Sequence, residues 1–97
     1  MTATVILRAQ AKPDKLDELK TFIAKCLPET RSYKGCINID IFEETCQKGS
    51  FIFYENWDSF ESYEVYLEYR TKQGVMDEIG SMLIGAPEIT YYGRVDI

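Results

Sequence analysis

Between Phe51 and Tyr66 the chain reads Phe-Ile-Phe-Tyr-Glu-Asn-Trp-Asp-Ser-Phe-Glu-Ser-Tyr-Glu-Val-Tyr, and the groups able to do chemistry are concentrated there. Glu55 is a carboxylate among aromatic residues; drawn into an apolar setting, its pKa rises and it can take a proton near neutrality. Trp57, the only tryptophan, offers an indole N–H, and Tyr63 and Tyr66 offer hydroxyls. Phe53 offers a flat apolar wall, and Asn38, from an earlier segment, an amide; such a set suits a flat ligand with a few oxygens. Each residue also has an ordinary structural use. Trp57 and the two tyrosines can be plain core, Glu55 can be half of an ion pair with a base such as Arg31, and Asn38 can mark a wet sheet face. The chain has no His at all. That removes the usual general base, the commonest metal ligand and the commonest haem ligand together.

These groups need a strand and a helix to position them. Phe51 to Trp57 is aromatic and β-branched, and period 2 puts Phe51, Phe53, Glu55 and Trp57 on one face, with Ile52, Tyr54 and Asn56 on the other. Asp58 reads as the N-cap of a following helix, with Glu61 three residues on, and Phe60, Tyr63, Tyr66 and Leu67 recur at helical spacing. Upstream, Thr2 to Ala11 alternates as a first strand. Pro13 and Asp14 open a helix whose buried stripe is Leu16, Leu19, Phe22, Ile23, Cys26 and Leu27, and Pro28 is placed to end or kink it, with Glu29 to Arg31 able to continue as a further turn. Gly35 turns the chain into a second strand, Cys36 to Glu44, with Ile37, Ile39 and Ile41 on one side and Cys36, Asn38, Asp40 and Phe42 on the other. Thr45 to Ser50 is a hairpin loop. Thr71 to Gly74 breaks the later helical pattern, Val75, Met76, Ile79, Met82 and Leu83 resume it, and Glu88 to Ile97 reads as the last strand.

The order is βαββαβ, so the expected fold is α+β and ferredoxin-like: a four-stranded antiparallel sheet with helices on one face, in a single domain over residues 1–97. Large apolar groups on both strand faces leave a patch that a second copy would cover, so a homodimer is expected. A net charge of −5 without a cluster of Lys and Arg argues against nucleic acid or an anionic membrane as partner. The start lacks the basic and apolar regions of a signal peptide, and no apolar run reaches membrane-spanning length, so the expected location is cytoplasmic. Cys26, Cys36 and Cys46 are odd in number and form no Cys-x-x-Cys, which suggests neither a disulfide framework nor a zinc site.

Several stretches taken together resemble the antibiotic biosynthesis monooxygenase family, the small dimeric α/β-barrel proteins, over nearly the whole chain. They are Ala9-Gln-Ala-Lys-Pro-Asp-Lys, Thr30-Arg31 before Gly35-Cys36, Phe53-Tyr-Glu-Asn-Trp57, and the aromatic helix after Trp57. The resemblance implies a homodimer with facing sheets and a mostly apolar pocket between helices and sheet in each subunit. Members of the family that the chain resembles include oxygenases that use no metal or flavin and act on polycyclic phenols and quinols, haem-degrading enzymes, a few isomerases of small carbonyl compounds, and members without known activity. The leading expectation is a monooxygenase without cofactor acting on a small aromatic phenol or quinol. Trp57, Tyr66 and Glu55 would then be the catalytic residues, with Asn38, Tyr63 and Phe53 binding substrate. Family members typically carry His nine residues after the strand-ending Trp, where this chain has Tyr66, and that departure weighs against the haem-degrading branch. Two other readings stand beside this one: an isomerase of a small oxygenated carbonyl compound, and a binding protein without turnover.

Overall fold

The structure, a computed structural model, describes residues 2–97. Alternation of small or branched apolar residues with polar ones makes β1, Ala3–Gln10, a two-faced strand: Ala3, Val5, Leu7 and Ala9 are buried and the intervening residues are not. A single 3-10 turn, Pro13–Lys15, leads into α1, Leu16–Ser32, which lays Leu19, Ile23 and Thr30 against the sheet. The remaining elements are β2, Cys36–Glu43; β3, Ser50–Trp57; α2, Phe60–Lys72; α3, Val75–Ser81; and β4, Glu88–Tyr92. The strands lie in the order β2-β3-β1-β4, every neighbouring pair antiparallel. The helices follow β1 and β3 as two crossover connections, and β2 and β3 are joined by a hairpin, which gives the expected ferredoxin-like arrangement.

Four local expectations are corrected. Pro28 does not end α1, which takes the alternative of a further turn and continues to Ser32. The ring deletes only the one N–H that would have bonded the Ala24 carbonyl. In the following turn the Cys26 carbonyl accepts from Thr30 Oγ1 at 3.2 Å and from Arg70 Nη2 at 2.9 Å, so the helix is supported from outside its own ladder. The cap of α2 is Ser59, whose hydroxyl accepts from the Ser62 amide at 3.1 Å; the Asp58 amide donates to the Gly35 carbonyl at 2.8 Å.

The third correction is in β2. Cys36 pairs with Trp57 but Asn38 pairs with Asn56, so Ile37 is an extra residue in the ladder. The bulge turns Cys36 toward the helices, where it packs against the buried apolar residues, and leaves Ile37 exposed on the other face. The fourth is β4, which stops at Tyr92 rather than Ile97; among the described residues, 93–97 pair with no strand.

Gly35 is the one turn residue on which the site depends. It has φ +93°, and a Cβ there would lie 2.6 Å from Ser62 Cβ, so only glycine lets the first turn of α2 approach the start of β2. The far face of the sheet carries Phe42, Tyr54, Tyr92 and the bulged Ile37, all exposed.

Candidate functional site

Glu55 lies near the middle of the sheet, flanked by Ile39 on β2 and Val5 on β1 in the cross-strand register, and points to the helix side. It is 3% exposed. Ion pairing does not explain its burial: the Arg31 guanidinium is spent on the Ile39 carbonyl at 3.1 Å and lies 3.9 Å from Asp40. The one hydrogen bond to the Glu55 carboxyl among the described residues comes from Trp57 Nε1, at 3.1 Å. Period 2 accounts for this contact, since residues two apart on a strand share a face. Burial pushes the Glu55 pKa up to about 7, against the smaller opposing effect of the Trp57 hydrogen bond.

Helical spacing on α2 brings Tyr63 and Tyr66 over the same end of β3. The Trp57 ring lies 5.7 Å from that of Tyr63 and 5.0 Å from that of Tyr66, centroid to centroid. Tyr63 is 1% exposed, and its hydroxyl has no hydrogen-bond partner among the described residues. Burial first, and the nearby Glu55 charge second, hold its pKa well above the usual phenol value. The Tyr66 hydroxyl is 2.7 Å from Thr30 Oγ1 and accepts from Arg70 Nε at 3.0 Å. Burial raises its pKa as well, with the two hydrogen bonds opposing.

Between these groups is a cavity of about 50 Å³. Its polar wall is Glu55, Tyr63, Tyr66, Thr30 and Arg70; its apolar wall includes Phe53, Leu7, Ile23, Leu27, Met76 and Ile79, from the sheet and all three helices. Of the six residues nominated from sequence, Phe53, Glu55, Tyr63 and Tyr66 line this space together. Trp57 stands behind them, reaching the cavity through Glu55 and Tyr66. Asn38 is elsewhere: it lies on the opposite face of the sheet, where its Oδ1 accepts from Asn56 Nδ2 at 3.2 Å. Its separation from Trp57 follows from strand parity, since Asn56 and Trp57 are neighbours and must point opposite ways.

Sequence reasoning did not nominate Arg70 or Thr30. Arg70 is 4% exposed, and each of its five N–H groups has an acceptor: Tyr66 Oη, Glu29 Oε1, Gln73 Oε1, the Cys26 carbonyl and Thr30 Oγ1. Its position four residues after Tyr66, on the inward stripe of α2, was the available signal. Among the described residues no group of three or more His, Cys, Asp or Glu is placed to hold a metal ion, and no helix is long and apolar enough to cross a membrane.

The chain aligns over 98% of its length, and 94% of the other's, with the crystal structure of a conserved protein from Methanosarcina mazei Go1, at TM-score 0.90 and 20% identity. An antibiotic biosynthesis monooxygenase structure matches with TM-score 0.88 and 18% identity, over 97% of this chain and 99% of that one. A variant of SnoaB, a cofactor-independent oxygenase from Streptomyces nogalater, matches with TM-score 0.84 and 10% identity, over 99% and 95%. At these identities the matches establish the fold. No match was found among curated proteins. The sequence model of the antibiotic biosynthesis monooxygenase family matches residues 2–76, from β1 into α3, a span that includes every polar group of the cavity. The chain belongs to the antibiotic biosynthesis monooxygenase family.

Proposed function

We propose that the chain is a cofactor-independent monooxygenase acting on a small aromatic phenol or quinol. One observation carries the reading: a carboxylate with no cationic partner, buried in a mostly apolar cavity between aromatic rings and poised to titrate near pH 7. A structural carboxylate in that position would be costly and unrewarded; a general base is tuned in this way. Glu55 would take the hydroxyl proton of the ligand, and the phenolate, held dry against Phe53 and Tyr63, becomes electron-rich enough to react with dioxygen. For a simple phenol, one oxygen atom enters the ring, the other leaves as water, and the organic product is a quinone. Family membership and the cofactor-independent oxygenase among the structural neighbours support this reading.

The isomerase alternative calls for a pocket that binds an anion. Arg70, the cation on the cavity wall, has every N–H already spent, which favours a neutral ligand. A cavity of about 50 Å³ is smaller than the roughly 300 Å³ at which ligand pockets begin, so admitting a ring requires the wall to widen. α3, seven residues that follow Gly74 at φ +83°, contributes Val75, Met76 and Ile79 to the wall that must give way. Incubation with naphthols and hydroquinones under isotopically labelled dioxygen tests the assignment: one labelled atom per product molecule is expected. Ligand binding without incorporation would instead identify a binding protein.

The same reading includes a homodimer built on the open sheet face. Ile37, Phe42, Tyr54 and Tyr92 stand exposed there, and a patch of that kind is normally covered in a stable small protein. Light scattering at micromolar concentration is expected to give twice the monomer mass, and a double substitution Phe42→Asp, Tyr54→Asp to give the monomer. A wild-type monomer would end this part of the proposal.

A further inference from the structure

The hydroxyls of Tyr66 and Thr30 have two ways of sharing their protons. A hydroxyl has one proton and two lone pairs. Arg70 fixes one lone pair on each: its Nε donates to Tyr66 Oη at 3.0 Å and its Nη2 to Thr30 Oγ1 at 3.2 Å. Across the 2.7 Å between the two oxygens, either can donate. In one arrangement Tyr66 donates to Thr30, and Thr30 donates to the Cys26 carbonyl at 3.2 Å, leaving Tyr66 with a free lone pair. In the other, Thr30 donates to Tyr66, both Tyr66 lone pairs are filled, and the Tyr66 proton is free. The Cys26 carbonyl is not orphaned by the change, since Arg70 Nη2 still reaches it at 2.9 Å. No heavy atom has to move.

Resting on the reading of this cavity as a ligand site, we propose that Arg70 and Thr30 are positioning residues of a two-state hydroxyl relay. Through it Tyr66 accepts a hydrogen bond from a ligand hydroxyl in one state and donates to a ligand carbonyl in the other. All three residues line the cavity, which puts the relay on the wall that a ligand would meet. The relay gives a single tyrosine affinity for both the hydroxyl and the carbonyl form of a ring, something a fixed donor cannot do. It depends on the threonine: without Oγ1, the Tyr66 proton has no internal acceptor and is left for the ligand.

The test uses phenol, whose hydroxyl is chiefly a donor, and acetophenone, an unreactive aromatic carbonyl that only accepts. Affinities for both are measured on the full chain by calorimetry or ligand-detected NMR. Thr30→Val removes the acceptor of the Tyr66 proton, so a bound carbonyl satisfies that proton and a bound hydroxyl donor leaves it unpaired. The affinity ratio of acetophenone to phenol is expected to rise roughly threefold to tenfold, the range for one hydrogen bond. Thr30→Ser restores the wild-type ratio. A ratio unmoved by Thr30→Val while both probes bind overturns the relay and leaves the ligand site standing. A ratio that moves and is not restored by Thr30→Ser also overturns it, because the cause would then be shape. If neither probe binds the wild-type protein, the ligand-site reading falls and the relay with it. Should Thr30→Val not fold, the wild-type hydroxyl protons of Tyr66 and Thr30 are followed by NMR: the two probes should shift them in opposite directions, and equal shifts refute the relay.

Discussion

Glu55→Gln should sharply reduce turnover while making the protein more stable above neutral pH. Gln keeps the shape and can still accept from Trp57 Nε1, but it cannot take a proton. The loss expected for a removed general base is about 10²- to 10⁴-fold in kcat. The wild-type rate should rise through about pH 7, where the carboxyl ionises in the folded protein, and the residual rate of the variant should lack that limb. Stability moves the other way. Below about pH 4.5 Glu55 is protonated both folded and unfolded, and its ionisation contributes nothing to the balance. Between pH 4.5 and 7 the unfolded chain sheds the proton while the folded one keeps it, so wild-type stability falls as pH rises, and the deficit is complete above 7. The shift corresponds to about 3 kcal/mol. Urea unfolding of both proteins at pH 4.5 and pH 8 measures it: the variant should gain relative to wild type only at the higher pH. A variant that is less stable at pH 8 would show that the carboxylate is structural.

Much of this site was legible because it follows from two periodicities. Period 2 along Phe51 to Trp57 places Phe53, Glu55 and Trp57 on one face, and the 3.6-residue repeat after Ser59 places Tyr63 and Tyr66 above them. Where the reading departed from the structure, a single residue had broken a period or moved the start of an element. The extra residue at Ile37 reverses the expected sides of Cys36 and Ile37, and nothing in Gly-Cys-Ile-Asn announces it. Asp58 has the right chemistry for a helix cap, but α2 begins at Phe60, which puts Ser59 in the cap position, and the Asp58 carboxylate accepts from the Ser59 hydroxyl. Arg70 was passed over because a charged residue on a helix is ordinarily solvated. Its five acceptors come from α1, from α2 and from Gln73 just past the end of α2, and only the tertiary structure gathers them. The size of the cavity is likewise a packing outcome that spacing does not encode.

Trp57 should prove to be both the keystone of the aromatic cluster and the regulator of Glu55, and two substitutions separate those roles. The side chain is fully buried, in contact with Tyr63 and Tyr66 and hydrogen-bonded to Glu55. Trp57→Ala removes the whole ring, and the expected cost is about 3 to 5 kcal/mol, the range for deleting a buried Trp or Phe. For a chain of this size such a loss approaches the total stability, so the variant should be largely unfolded or strongly shifted in thermal melting. Trp57→Phe keeps most of the packing and loses the indole N–H. That donor favours the ionised form of Glu55, so its removal must raise the Glu55 pKa further above 7. A hydrogen bond to a charged group contributes about 1.5 to 3 kcal/mol, equivalent to a rise of roughly one to two pH units. The turnover profile of Trp57→Phe should therefore keep its shape and move to higher pH, with activity near neutrality reduced about tenfold or more and largely recovered by pH 9. A profile that falls uniformly at all pH values would mean that Trp57 contacts the substrate directly and that the Glu55 ionisation is set by burial alone.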